Sequence, residues 1–137
     1  MEIDFALLCL GVHEGLPGLL NLEGVGIAIL EASVFPIRSA PLHLVVSVRA
    51  RPEECGRPHT LTTQGWDEQT GAIGSPFNLP IRLDVNPVDR SRDSSHVYVQ
   101  SFPNVTFPHR GEYEFRIQID GELKAVVVLF VAERPPA

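Results

Sequence analysis

From Glu112 to Asp120 polar and apolar residues alternate without interruption. Tyr113, Phe115, Ile117 and Ile119 fall on one side, and Glu112, Glu114, Arg116, Gln118 and Asp120 on the other. A period of two belongs to a half-buried strand and cannot be laid on one stripe of a helix. Asp120-Gly121 follows, a dipeptide that accepts the positive φ angles of a tight hairpin turn. The apolar run from Leu123 to Val131, rich in valine, then predicts the returning strand.

The rest of the chain repeats this grammar. Ile3 to Val12 is apolar on both sides apart from Asp4, which predicts a doubly covered strand or a short buried helix. Glu14 to Gly18 has turn composition, and Leu19 to Leu30 predicts a strand whose Gly24 and Gly26 mark a bulge or a close backbone approach. Pro36 and Pro41 bracket a crossing loop. Leu42 to Ala50 alternates, with Leu42, Leu44, Val46 and Val48 as the better core face. His59 to Gln69 is a polar strand candidate carrying Trp66, and Gly71 to Pro80 reads as loop. Leu79 to Val85 and Val97 to Phe102 predict short strands, separated by the strongly polar Asn86 to Ser95. No repeat and no amphipathic helix interrupts the series. The expected fold is all-β: a single antiparallel β-sandwich of seven or eight strands over residues 1–134, with a short Pro-rich tail at 135–137.

The 137 residues suit one domain that buries roughly two-thirds of its unfolded surface. Seventeen acidic against eleven basic residues give a net charge of −6, the wrong sign for a phosphate-binding surface, so nucleic acid is not expected as a partner. The opening Met1-Glu-Ile-Asp4 lacks the positive charge of an export signal, and the apolar runs are too short to span a bilayer. The expectation is a cytoplasmic protein without a membrane partner. Cys9 and Cys55 make no disulfide framework. Cys9 reads as a small buried hydrophobe, and Cys55 as part of an exposed turn.

Two resemblances follow from particular motifs. Gly111-Glu-Tyr-Glu-Phe115 resembles the corner of immunoglobulin-like domains, which implies that the Tyr113 hydroxyl ties back to the preceding loop. Phe115 stands where those domains carry their second core cysteine, and Leu42 to Ala50 has no tryptophan, so an antibody-type domain is excluded. The whole chain also resembles an uncharacterised family of small bacterial β-sandwich proteins. The matching pieces are Asp4-Phe-Ala-Leu-Leu-Cys9, Gly18-Leu-Leu-Asn-Leu-Glu-Gly24, Arg57-Pro-His59 and Gly111-x-Tyr113-x-Phe115 with Asp120-Gly121. This resemblance implies a fold and brings no activity with it.

Catalytic and metal signatures are weak. The five histidines, at 13, 43, 59, 96 and 109, show no spacing that would put two ligands on one face. Ser94, Ser95 and His96 are neighbours on a strand, so adjacent side chains point to opposite faces. No nucleophile elbow, phosphate loop or dinucleotide fingerprint occurs. The expectation is a non-enzymatic protein without catalytic residues, metal or cofactor. An alternative reading places a calcium or small-ligand site in loops at one end of the sandwich, using Asp84, Asp89 and Asp93 with Trp66 nearby.

The closing hairpin carries the sharpest anomaly. A two-residue turn puts Val126, Val128 and Phe130 on the core face, and a turn one residue longer exchanges them for Leu123, Ala125, Val127, Leu129 and Val131. Either way an apolar row points outward, because the strand is apolar on both faces. Burial of each large side chain is worth about 1.5–3 kcal/mol, so such a row calls for cover. The cover is either intramolecular, by the N-terminal segment or a loop, or another chain. The second choice makes this a protein-binding, self-assembling module whose partners include itself, with Leu123, Val126, Val127, Val128, Leu129, Phe130 and Val131 as the association surface and the N-terminal strand second.

Overall fold

The computed structural model describes residues 1–17 and 19–135. It is all-β, with strands β1 (Glu2–Cys9), β2 (Gly11–Glu14), β3 (Leu20–Glu23), β4 (Ile29–Ala32), β5 (Ile37–Arg38) and β6 (Leu42–Ala50) in the first part. There follow β7 (His59–Asp67), β8 (Gly71–Ile81), β9 (Ser94–Phe102), β10 (Thr106–Phe107), β11 (Gly111–Ile119) and β12 (Glu122–Glu133). They form four sheets: β1-β6-β9, β4-β12-β11-β7-β8, and two ribbons, β2-β3 and β5-β10. The strand count among the described residues is therefore twelve against an expected seven or eight. Short ribbon strands account for much of the excess, since two to four paired residues leave no periodicity to read.

One hydrophobic core joins the two larger sheets. Leu44, Val46 and Val48 of β6 meet Leu61, Ile117 and Leu129 of the five-stranded sheet, all fully buried. The even residues of β6 face this core as the alternation requires. Its odd residues face away, yet Val45 is as deeply buried as they are. The β2-β3 hairpin explains this. It folds over the outside of the three-stranded sheet, so that Leu20 and Leu22 lie near Phe5 and Val45. The N-terminal segment is thus a strand followed by a hairpin, not one strand from Ile3 to Val12. Gly24 (φ 61°) and Gly26 (φ 81°) end β3 instead of bulging it. Beyond them, the amides of Gly26 and Ile27 donate to the Leu8 carbonyl.

The stretch expected to be loop at 71–80 is strand β8, paired with β7 from Asp67↔Gly71 to His59↔Ile81. Two glycines and two prolines hide it from a reading of composition. The strand lies on a sheet edge, where a proline's missing N–H costs no ladder bond. Strand expected at 79–85 stops at Ile81. The loop expected at 86–95 is present, and Asn86 organises it: its Oδ1 accepts from the amides of Val88 and Asp89, and its Nδ2 donates to the Asp93 carbonyl. The turn expected at Glu14 to Gly18 and the tail at 135–137 lie partly outside the described residues, which omit Gly18, Pro136 and Ala137.

Candidate interaction face

Asp120 (φ 51°) and Gly121 (φ 84°) form the two-residue turn, with Ile119 opposite Glu122. The expected consequence does not follow. Gln118 pairs with Leu123 but Ile117 pairs with Ala125, so Lys124 is an extra residue in the ladder. A single inserted residue reverses the facing of everything beyond it. Ala125, Val127, Leu129 and Val131 therefore turn inward beside Phe115 and Tyr113, with Leu129 and Val131 buried. Val126, Val128 and Phe130 turn outward. The association surface expected over 123–131 is thus split: Leu129 and Val131 are core residues, while Leu123, Val126, Val128 and Phe130 supply the outer row.

That row is poorly covered. Val126 is 42% exposed and Phe130 48%, and Ile29 on β4, opposite Phe130, is 61% exposed. Strand β4 pairs in parallel with β12 only from Phe130 to Glu133, so among the described residues positions 122–129 of β12 have β11 as their sole ladder partner. β1 packs beside this stretch, and Lys124 Nζ lies 3.5 Å from both Glu2 and Glu122. The N-terminal strand therefore closes the seam on the core side and leaves the outer row open.

Beside the apolar row runs an acidic one. Glu112 stands opposite Phe130 and Glu114 opposite Val128. Carboxylate oxygens of Glu68, Glu112 and Glu114 all lie within 4.8 Å of one another. A hydrogen bond with Glu114, and then the charge of Glu112, push the Glu68 carboxyl above its usual value. One cation enters the group: Arg116 Nε is 2.8 Å from Glu114, while its guanidinium lies 3.9 Å from the centre of the Trp66 ring. Trp66 is thus a platform for Arg116 on this face.

Asp89 and Asp93 of the alternative loop site have partners of their own. Asp89 accepts from the Ser91 amide and hydroxyl and lies 3.6 Å from Arg92, while Asp93 lies 4.0 Å from Arg49. Among the described residues Asp84, Asp89 and Asp93 do not form one group of metal-ligating atoms, and Trp66 packs under Arg116.

Two histidine–aspartate pairs went unread in the sequence because 42 and 61 residues separate the partners. His109 Nε2 is 2.7 Å from Asp67 Oδ2, and its Nδ1 donates to the Arg110 carbonyl at 2.6 Å. His59 Nδ1 is 2.6 Å from Asp120 Oδ2, with Nε2 3.0 Å from the Glu54 carbonyl. Both ring nitrogens of each histidine face acceptors, which favours the imidazolium, so each pKa is raised. For His109 the Arg110 carbonyl is the main cause, and for His59 the Asp120 carboxylate. His43 Nδ1 lies 2.8 Å from Ser101 Oγ, but as cross-strand neighbours on a sheet face, and no carboxylate is bonded to His43 among the described residues.

A family model described as a family of unknown function (DUF6941) matches residues 4–132. No curated protein matches the chain.

Proposed function

This chain belongs to that family of unknown function, and from this premise we propose that it is a non-enzymatic protein-binding or self-assembling module. Its working surface is the outer side of the closing strand, Val126, Val128 and Phe130 with Ile29. The observation that carries the reading is an apolar row that β1 and β4 leave open, on a strand whose other side already fills the core. A sheet face of this kind is a place for a second chain. The same reading takes the two larger sheets as an immunoglobulin-like sandwich and the protein as cytoplasmic. The Tyr113 hydroxyl supports the first, since it donates to the His109 carbonyl at 2.5 Å, four residues upstream, as the corner motif implies.

Sedimentation across a concentration series, with a Val126→Glu/Phe130→Glu variant beside the native chain, tests the proposal. The native chain is expected to associate, with itself or with a supplied protein partner, and the variant to stay folded and alone. A native chain that remains single at high concentration and binds no partner at this face, with Phe130→Glu as damaging to folding as Leu129→Glu, would remove the basis for it.

A further inference from the structure

The charges around the open row say which kind of partner fits it. Resting on the interaction face just proposed, we infer that its occupant is a basic protein segment with alternating apolar and Lys or Arg side chains, not a second copy of this chain. The apolar side chains of such a segment would cover Val126, Val128 and Phe130. Its cations would reach Glu112 and Glu114 one strand away, with Glu68 beside them just past the end of β7.

Three carboxylates within 4.8 Å share a single guanidinium, and that guanidinium is already bonded to Glu114 and stacked on Trp66. Covering the apolar row strips water from its acidic neighbours, and a carboxylate that loses water needs a cation or a proton in return. Most cations beside this face of a second copy are already engaged, Arg134 just past the end of β12 being the exception among the described residues. Lys124 is held by Glu2 and Glu122, Arg110 lies 3.5 Å from Glu133, and Arg116 is engaged as described. The net charge of −6 adds a general repulsion between copies. A partner bringing its own positive charge meets both needs and is drawn in at a rate that falls with salt.

The test uses the full chain and two synthetic peptides of equal length, one alternating Lys with Val and Leu, the other with Glu in place of every Lys. Chemical shifts of Val126, Val128, Phe130, Glu112 and Glu114 report where binding occurs. The expected result is binding of the lysine peptide on these residues, weakened about tenfold or more by Glu112→Gln/Glu114→Gln and by added salt. The same double neutralisation at Glu53 and Asp89, far from the face, is expected to leave binding within about twofold. Equal binding of the two peptides, or equal loss from the distant pair of substitutions, overturns the choice of a basic partner. If the chain instead dimerises through this face, and Phe130→Glu dissolves the dimer, this inference fails while the proposed function stands. If neither peptide binds and the chain stays single, both fail.

Discussion

His109 and Asp67 meet across the end of the β7–β11 pair, Nε2 to Oδ2 at 2.7 Å, and fasten the turn before β11 to the last residue of β7. His59 and Asp120 do the same at the other end of the same two strands, with the Thr60 amide donating to Asp120 Oδ1 at 2.9 Å. The arrangement is reciprocal. β7 contributes a histidine at its start and an aspartate at its finish, while β11 has a histidine just before it and an aspartate just after. Two antiparallel strands are thus locked at both ends by charge-assisted hydrogen bonds.

These locks set a pH dependence. Both histidine pKa values are raised above 6.5, so their stabilisation is complete below that value and is lost as pH rises through the folded pKa. Both aspartates are lowered below 3.8. For Asp120 the bond from His59 is the main cause; for Asp67 burial pushes upward but is outweighed by bonds from Gln69, Thr70 and His109. Their stabilisation is present above the unfolded value and is lost as pH falls through the folded one. Melting temperature is therefore expected to be highest in mildly acidic solution and to decline as pH rises above about 6.5. His59→Gln and His109→Gln should each flatten that decline. A melting temperature that instead rises with pH there would contradict the assignment.

The inserted Lys124 predicts a contrast between neighbours. Leu129→Ala removes a fully buried side chain and is expected to cost about 2–5 kcal/mol. Phe130→Ala removes a half-exposed one and is expected to cost less than about 1.5 kcal/mol in the isolated chain. Urea unfolding of both measures the difference. Equal losses would mean that the facing of β12 has been misassigned.

Tyr113 is buried, and its hydroxyl both donates to the His109 carbonyl and accepts from the His109 amide at 3.3 Å. Tyr113→Phe keeps the ring that packs edge-on against Phe107 and removes only these bonds. The expected loss is about 1–3 kcal/mol with the fold retained. Guanidinium midpoints at unchanged slope are the measurement.

Gln100 places an amide in the core with 1% exposure, bonded to the Thr63 hydroxyl through one end, and its Nε2 has no partner among the described residues. Turning the amide over changes which end is satisfied and leaves one unbonded. Thr63→Val is expected to destabilise by about 1–3 kcal/mol by orphaning the amide fully. Thr63→Val with Gln100→Leu should recover most of that loss, because two apolar groups leave nothing unsatisfied. Strict additivity of the two single effects would refute this account.

Both cysteines are free, and burial pushes each thiol above its usual pKa. Cys9 is fully enclosed, whereas Cys55 is partly open and donates to the Arg51 carbonyl at 3.4 Å. A colorimetric thiol reagent at pH 7 is expected to label Cys55 slowly and Cys9 only at the rate of unfolding. Rapid stoichiometric labelling of two thiols in the native state would rule this out.

The local alphabet of the chain was enough for a good deal. Strict alternation in 112–120 and 42–50 required strands, the positive-φ pair Asp120-Gly121 required a tight turn, and Tyr113 after Gly111 foretold a hydroxyl bonded back to the preceding loop. Each of these is a property of residues a few positions apart, which is why sequence alone decided them. That the closing strand is apolar on both faces was legible for the same reason.

Which side of that strand faces the core was not. Alternation fixes that neighbours oppose each other, but one unpaired residue at Lys124 reverses the facing, and only pairing to β11 shows it. Strand β8 needed β7 beside it to outweigh its glycines and prolines, and Val45 needed the β2-β3 hairpin to become buried on the far side of its sheet. The acidic trio draws Glu68 from beyond β7 to two residues of β11, and the paired histidines and aspartates join positions far apart in the chain. Such meetings leave no trace in composition or period, because the folded path of the backbone, not any local preference, brings the groups together.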